Sequence, residues 1–382
     1  MGKAIVLATP VFFLLIGIEY LVGRLRGQQV YRLNDTLNSL SLGVMSQVSG
    51  LFLRVLGIGI YAAVYSVASL QQLPMDAWWV WVLAVVAYDF CYYWNHRLGH
   101  TSAILWAAHV VHHQSQEYNL STALRQTSSG ALLGWVFYLP MALAGFPPQV
   151  FAAAALIDLL YQYWIHTEQV GKLGWFDRVF ASPSNHRVHH AINDRYLDHN
   201  YGGILVIWDR LFGTFVEEDE PCHYGTRSPL RSWDPVRANL QVYLELWQKS
   251  RRARNVREAV AYWLKPPGWQ PVSADARPWT QPPLEAACLQ RFDPALAPGS
   301  APLALGSFVL ALAGSALLLW NAAALPMPWL AGGALTLILS LWGTGALLQS
   351  RLSLASGAGL QLACLGAAAV LMLSLPAWRA TA

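Results

Sequence analysis

Long apolar runs separated by polar stretches predict an all-α integral membrane protein. Residues 4–23 supply about the 20 apolar residues that a helix needs to span a bilayer. GRLRG follows them in place of a small-residue cleavage site, which favours a retained span over a signal peptide. The same reasoning predicts further spans at 41–66, 77–94, 303–325, 328–349 and 354–375.

Two shorter apolar segments, 129–145 and 148–166, hinge at Phe146, Pro147 and Pro148 and are expected to form a hairpin. Both of its ends return to the same side. The pattern leaves open whether this hairpin crosses the membrane fully or dips in and returns.

Residues 235–264 have the pattern of a basic amphipathic helix. Apolar side chains lie on one side, and Lys and Arg residues follow, including a run between 251 and 257. Such a helix is expected either in the plane of the lipid headgroups or packed on its own domain with a solvated face. Pro266, Pro267 and Gly268 should end it, and the Pro-rich stretch to about 302 reads as a linker.

Four regions follow from this organisation. We expect N-terminal membrane helices, a catalytic region in which residues 167–234 fold back as a cytoplasmic helical cap, an interfacial helix with the linker, and C-terminal membrane helices. Their boundaries are 1–74, 75–234, 235–302 and 303–382.

Composition supports a membrane location. Of 382 residues, 55% are hydrophobic and 12% are charged, whereas the charged share of soluble domains is about 25%. The net charge of +4 is better explained by cytoplasmic loops than by nucleic-acid binding. The four cysteines include no CxxC pair, so they suggest neither a disulfide framework nor a zinc ribbon.

The distribution of arginine predicts the orientation. Arg24, Arg26 and Arg32 lie between the first two predicted spans, whereas the next link, QQLPMDA, has no Lys or Arg. The positive-inside rule therefore places the first link, and with it the end of the third span, in the cytoplasm. The expected compartment is the inner membrane of a bacterium or the endoplasmic reticulum of a eukaryote.

Histidines are concentrated in three motifs: HRLGH at 96–100, HVVHH at 109–113 and HRVHH at 186–190. They hold eight of the 11 histidines in the chain. Residues at i, i+3 and i+4 share one helix face, so the histidines of each motif are expected to converge on one point. A single zinc ion takes about four ligands, so eight histidines imply a site for two metal ions.

A site of this kind suggests oxygen chemistry on a lipid. Imidazole suits iron, zinc, copper and nickel, and a di-iron site with open positions can activate dioxygen for attack on an unactivated C–H bond. His166 ends an apolar helix between the motifs and is a candidate ninth ligand.

Two other classes of function would also explain a histidine-rich membrane protein. A metal-binding or metal-transporting membrane protein would have a series of ligands along helices in the middle of the membrane. These histidines instead cluster at helix ends. A b-type haem protein would use paired axial histidines inside its spans. Bound metal without haem absorbance excludes the haem protein, and dioxygen-dependent turnover separates an enzyme from a transporter.

The three motifs resemble the histidine boxes of the fatty acid hydroxylase and sterol desaturase superfamily of membrane di-iron enzymes. Within residues 75–270 the chain is similar to the alkylglycerol monooxygenases. That similarity is carried by HHQSQEYNLSTALRQ, LLYQYWIHTE, SNHRVHHAINDRYLDHNYGGILVIWDRLFGTF and KPPGW.

The resemblance implies O2-dependent hydroxylation of the carbon next to an ether oxygen, followed by collapse to a fatty aldehyde and a glycerol derivative. Hydroxylation or desaturation of a fatty acid, sterol or other lipid is the alternative within the superfamily. The implied cofactors are two iron ions, which zinc could replace in purified protein. The implied reductant is external, either tetrahydrobiopterin or an electron-transfer protein, because no haem or ferredoxin module is recognisable in the sequence.

The resemblance also implies the site residues. Its expected metal ligands are His96, His100, His109, His112, His113, His166, His186, His189 and His190. Residues expected to orient the ligands or the substrate are Glu117, Tyr118, Asn119, Asp198 and Asn200, for which caps and turns are an equally plausible role. Thr101 departs from the family, in which an acidic residue follows the second histidine of the first box.

Overall fold

The structure, a computed structural model, describes residues 2–271 and 283–381. Within these residues it contains helices and no β-strand. Two isolated antiparallel bridges join Phe180 to Leu205 and Ala191 to Tyr224. The prediction of an all-α protein is confirmed.

The first half of the chain contains three long helices followed by a series of short ones. Their bounds are α1 Gly2–Leu25, α2 Leu33–Ala68, α3 Trp78–Thr101, α4 Ala103–Ala107, α5 Val110–His113, α6 Leu120–Ala123, α7 Gly130–Leu133, a 3₁₀ helix Gly134–Tyr138, α8 Leu139–Leu143 and α9 Pro148–Trp164.

The second half contains the cap and three long C-terminal helices. Their bounds are a 3₁₀ helix Phe176–Arg178, α10 Pro183–His190, α11 Ile207–Leu211, α12 Pro235–Arg251, α13 Val256–Leu264, α14 Ala286–Leu289, α15 Ser300–Asn321, a 3₁₀ helix Ala322–Ala324, α16 Met327–Leu348 and α17 Leu354–Thr381.

Four described helices are long and apolar enough to cross a membrane: Gly2–Leu25, Ser300–Ala324, Met327–Leu348 and Leu354–Ser374. The two parts of α2, Leu33–Leu53 and Leu56–Ala68, meet the criterion together as one bent span. The helix predicted at 77–94 forms as α3, but it is not among these spans. Its many Trp and Tyr residues and the buried Asp89 make it less apolar.

The two arms of the predicted hairpin at 129–166 differ in structure. Its first arm is broken into α7, a 3₁₀ helix and α8, whereas its second arm is the single helix α9. Tyr61 of α2 donates to the carbonyl oxygen of Phe146 at the hinge (2.9 Å). Buried residues of α2, α3 and both arms form one apolar cluster, so one side of the hairpin packs against α2 and α3.

Helix α2 begins at Leu33, eight residues before the start of the predicted span at 41. The added turns are polar and buried, because Asn34, Asp35, Asn38 and Ser39 contact other parts of the protein. Asn38, for example, donates to the carbonyl oxygen of Trp233 (2.7 Å). Hydropathy alone missed these turns because most of their polar groups form hydrogen bonds inside the protein.

The amphipathic segment 235–264 forms two helices, α12 and α13, and not the one continuous helix predicted. The side chain of Asn255 accepts a hydrogen bond from the Glu258 N–H (2.9 Å) and caps α13, which separates the two. Leu246 and Tyr243 pack against α4, while Trp247 is 56% exposed. Within the expected linker, α14 forms a short helix, and residues 272–282 lie outside the described residues.

The C-terminal helices α15 and α16 pack on α2. Buried residues of α2, α15 and α16 form the largest apolar cluster, which also includes Trp233. The turn after α16 contacts the polar part of the chain, since Ser232 donates to Gln349 Oε1 (3.1 Å) and Ser350 donates to the Ala295 carbonyl (2.9 Å). The link between α1 and α2 also contacts the cap, because Arg26 donates to the carbonyl oxygen of Gln169 (2.8 Å).

Gly345 allows α16 to approach the start of α12. A Cβ atom at this position would lie 2.1 Å from the backbone oxygen of Trp233, whereas a Cβ at Gly306 in α15 would have no neighbour within 4 Å. We expect Gly345→Val to destabilise the protein by about 2 kcal/mol or more, because the backbone must move apart. Thermal unfolding of solubilised protein should show a lower midpoint for Gly345→Val than for the control Gly306→Val. Equal midpoints would contradict this close approach.

Candidate metal centre

Nine histidines from four parts of the chain meet in two groups. In each group the candidate ligand atoms lie within 4.8 Å of one another. The five-histidine cluster contains His96, His100, His109, His113 and His189. The four-histidine cluster contains His112, His166, His186 and His190.

The second and third boxes are divided between the clusters, which corrects the expectation that each box converges on one point. The two histidines of the first box, His96 and His100, stay in one cluster. Pairs spaced i, i+4 stay together: His109 with His113, and His186 with His190. The histidine at i+3 joins the other cluster in both boxes. Since consecutive side chains leave a helix about 100° apart, the residues at i+3 and i+4 cannot both face one ion, but they can face two.

Four imidazoles are fixed by backbone carbonyl groups. Their Nδ1 atoms lie 2.7–3.0 Å from carbonyl oxygens in the pairs His96–Tyr201, His112–Arg125, His166–Gln162 and His189–His199. A carbonyl oxygen only accepts, so each Nδ1 carries the proton. The Nε2 atom of each neutral ring is therefore left with a lone pair that faces its cluster.

The Nε2 atoms of His112 and His166 lie 3.1 Å apart. Both rings are protonated at Nδ1, so neither Nε2 can donate to the other and the two lone pairs repel. A second proton is disfavoured, because burial lowers the pKa of His112 to about 4. A cation between the rings removes the repulsion, so this donor set fits a metal ion.

Other contacts in the clusters fit the same interpretation. The Nε2 atoms of His100 and His189 are buried and have no hydrogen-bond partner. Neighbouring Nε2 atoms within each cluster are 3.0–3.2 Å apart. Nitrogen atoms this close together could bind a common ion at the usual metal–imidazole distance of about 2.1 Å.

Two of the five predicted orienting residues lie against the histidines. Asp198 Oδ1 is 3.4 Å from His100 Nδ1. The ring of Tyr118 is buried, with its centroid 5.2 Å from that of His190, and its hydroxyl donates to the carbonyl of Ile165 (2.9 Å). These two side chains are placed to fix ring orientation.

The other three predicted residues hold the surrounding chain. Glu117 forms an ion pair with Arg32. Asn119 caps α6 through the Ser121 and Thr122 N–H groups. Asn200, with φ +56°, donates to backbone oxygens of the cap. Thr101, at the position where the family has an acidic residue, donates to the Arg97 carbonyl (3.0 Å) and ends α3.

Two supporting residues were missed by the sequence reasoning. Arg125 is fully buried, and its guanidinium donates to Val111 O (2.6 Å) and Asn38 Oδ1 (2.7 Å). Asp209 accepts from the Tyr201 N–H (2.7 Å) and fixes the loop whose carbonyl holds His96. In the sequence, both residues lie inside the longer segments that resemble known relatives, and nothing else in the sequence pointed to them.

Two cavities border the centre. The apolar cavity, about 480 Å³, lies among α1, α2, α9 and α15, and its lining reaches His112 and His166. The second cavity, about 380 Å³, is called the polar cavity because its lining holds more hydrogen-bonding side chains than that of the apolar cavity. It lies among α2, α3, the first hairpin arm and α9, and its lining reaches His96, His109 and His112. The centre is therefore accessible from both.

Comparison with known proteins identifies the region around the centre. Residues 81–214 match the family model for fatty acid hydroxylase. The chain carries a fatty acid hydroxylase domain. That domain includes all nine clustered histidines and most of the cap.

Curated relatives extend the similarity beyond this fatty acid hydroxylase domain. Alkylglycerol monooxygenases of Danio rerio and Homo sapiens are 42% and 40% identical over 265 residues, which is 69% of this chain and 59% of each relative. An ornithine lipid hydroxylase of Rhizobium tropici is 33% identical over 145 residues, 37% of this chain and 43% of that protein. The match to the two monooxygenases thus spans less than two thirds of their length. No solved structure matches.

Proposed function

We propose that this chain is a membrane-bound lipid monooxygenase whose histidine clusters hold two iron ions. Its proposed substrate is an alkylglycerol. The observation that carries the proposal is the division of nine buried or half-buried histidines into two clusters, inside a fatty acid hydroxylase domain. The similarity to alkylglycerol monooxygenases supports the choice of substrate.

The reaction would insert one oxygen atom of O2 into the C–H bond of the carbon next to the ether oxygen. The second oxygen atom leaves as water with two electrons and two protons from an external reductant. The resulting hemiacetal breaks its C–O bond to give a fatty aldehyde and free glycerol. Two bound iron ions would supply the activation of dioxygen that this C–H bond requires.

The protein's own residues would orient the metal ligands and exclude water. The carbonyl groups of Tyr201, Arg125 and Gln162 hold three imidazole rings in the tautomer that presents Nε2. The apolar cavity is bordered by α1 and α15, two of the candidate membrane spans. A lipid chain could therefore reach the centre from the hydrocarbon layer.

The proposal includes an orientation and a reductant. The link between α1 and α2, the cap and the turn after α16 contact one another, and the Arg-rich link favours the cytoplasm for this side. The electrons would come from tetrahydrobiopterin or from a separate electron-transfer protein.

The test is an assay of membranes that contain the protein, supplied with an alkylglycerol, iron, O2 and either tetrahydropterin or NADPH-driven electron carriers. We expect fatty aldehyde to form only with O2 and intact histidine clusters. A lipid that gains one oxygen atom or loses two hydrogen atoms without aldehyde would indicate another hydroxylase or desaturase of the superfamily. No oxidised lipid with any reductant would contradict the enzymatic function.

A further inference from the structure

The two cavities meet at the metal centre. Four residues line both of them: His112, Gln126, Leu159 and Gln162. Because His112 belongs to the four-histidine cluster, the border between the cavities lies beside a candidate metal site. A molecule that occupies both cavities must therefore pass the centre at this border.

Apolar side chains make up most of the lining of the apolar cavity. Phe13, Leu312 and Ala316 are among its lining residues. Several hydroxyl groups in its lining are already used, since Thr9, Tyr163 and Ser315 donate to backbone carbonyls at 2.7–2.8 Å. Such a surface suits a hydrocarbon chain.

The polar cavity is lined by side chains that can hydrogen-bond, including Tyr92, Asn95, Asp158 and Gln162. Tyr92 donates to Gln162 Oε1 (2.8 Å), and Gln162 donates to Asp158 Oδ2 (2.6 Å). Asp158 is 3% exposed, and its Oδ1 atom has no hydrogen-bond partner. Burial and the nearby Asp89 carboxylate raise the pKa of Asp158, which favours its neutral form.

The charge of the two linings limits the ligand further. Among the described residues, no Lys or Arg lines either cavity. A phosphate group is usually bound by Arg, Lys or a helix N-terminus. An anionic headgroup would therefore lose its hydration here without gaining an ion pair with a cationic side chain of the lining.

We propose that the two cavities bind the two ends of a single-chain amphiphile. The alkyl chain occupies the apolar cavity, and an uncharged headgroup with hydroxyl groups occupies the polar cavity. The junction between chain and headgroup then lies at the border beside His112. This placement determines which carbon is oxidised: the first carbon of the alkyl chain.

This inference rests on the proposed function, and its test does not need turnover. The probe is a 1-O-alkylglycerol with a diazirine at the far end of its chain. It is photolysed without O2 in vesicles that contain the iron-loaded protein, and the label is mapped by mass spectrometry. We expect label on α1 or α15. Label on residues 127–138, which border the polar cavity, would overturn the placement.

Bulky substitutions with matched controls test each cavity. Ala316→Trp fills the apolar cavity, whereas Leu310 lies on the same helix, is 50% exposed and lines neither cavity. We expect Ala316→Trp to lower labelling about tenfold or more and Leu310→Trp to leave it unchanged. Ala131→Trp in the polar cavity should also lower labelling relative to Leu132→Trp, which lies outside it. If neither Ala316→Trp nor Ala131→Trp lowers labelling, the proposal is overturned.

Competition tests the headgroup. Unlabelled 1-O-alkylglycerol should displace the probe at least about tenfold better than its phosphate ester, and equal displacement would overturn the uncharged headgroup. Label in the expected places without aldehyde in the activity assay would contradict the proposed reaction alone. Aldehyde formation with misplaced label would contradict this inference alone.

Discussion

Replacing His112 by alanine should abolish lipid oxidation while leaving membrane insertion intact. His112 is anchored by the Arg125 carbonyl, contacts His166 at 3.1 Å and borders both cavities. Changing residues that only support a metal ligand costs roughly 10- to 100-fold in affinity or activity. Loss of a ligand itself should therefore reduce activity more than about 100-fold, measured as product formed per membrane-inserted chain.

His223→Ala is the matched control, because His223 lies in the cap but outside both clusters. It should keep nearly full activity. His189→Ala, which removes a ligand from the other cluster, should behave like His112→Ala. Substantial oxidation by either cluster variant would show that the histidine is not needed and would contradict the assigned site.

Replacing Arg125 by methionine should have the largest effect on stability. Arg125 is 1% exposed, and its guanidinium donates to Val111 O, Asn38 Oδ1 and Gln114 Oε1. Methionine fills similar space but leaves Asn38 Oδ1 and Gln114 Oε1 without the donor that Arg125 provides, while Val111 O keeps only the Gln114 N–H. Each unsatisfied buried group costs about 1–3 kcal/mol. We expect a loss of about 3 kcal/mol or more, seen as a lower thermal unfolding midpoint.

Arg125→Lys should be intermediate, because lysine restores the charge but cannot reproduce the planar fork of donors. Both variants should also weaken metal retention, since the Arg125 carbonyl orients His112. An Arg125→Met protein as stable as the unsubstituted protein would show that these hydrogen bonds contribute little.

Hydropathy predicted the helical class and the outer membrane helices well. The segments at 4–23, 303–325, 328–349 and 354–375 all lie in helices that are candidate spans. It failed at the start of α2, where the packing partners of the buried polar residues are distant in the sequence. It also placed a span at α3, whose Trp and Tyr residues and buried Asp89 make it less apolar than the candidate spans.

All nine histidines expected as metal ligands lie in the two clusters; their role as ligands stays a prediction. The arrangement differs from the expectation, because in the second and third boxes the histidines at i+3 and i+4 belong to different clusters. The carbonyl groups that fix the rings could not be predicted, because any residue supplies a carbonyl. The roles of Asn119 and Asn200 in caps and turns show the same limit, since their side chains act on the nearby backbone.

The most direct test of the account is the number of metal ions bound per chain. Elemental analysis by mass spectrometry of protein purified after iron loading should give two ions per chain. His100→Ala and His166→Ala, one from each cluster, should each lose one ion while the other stays bound. One ion per chain in the unsubstituted protein, or none, would contradict a two-metal centre.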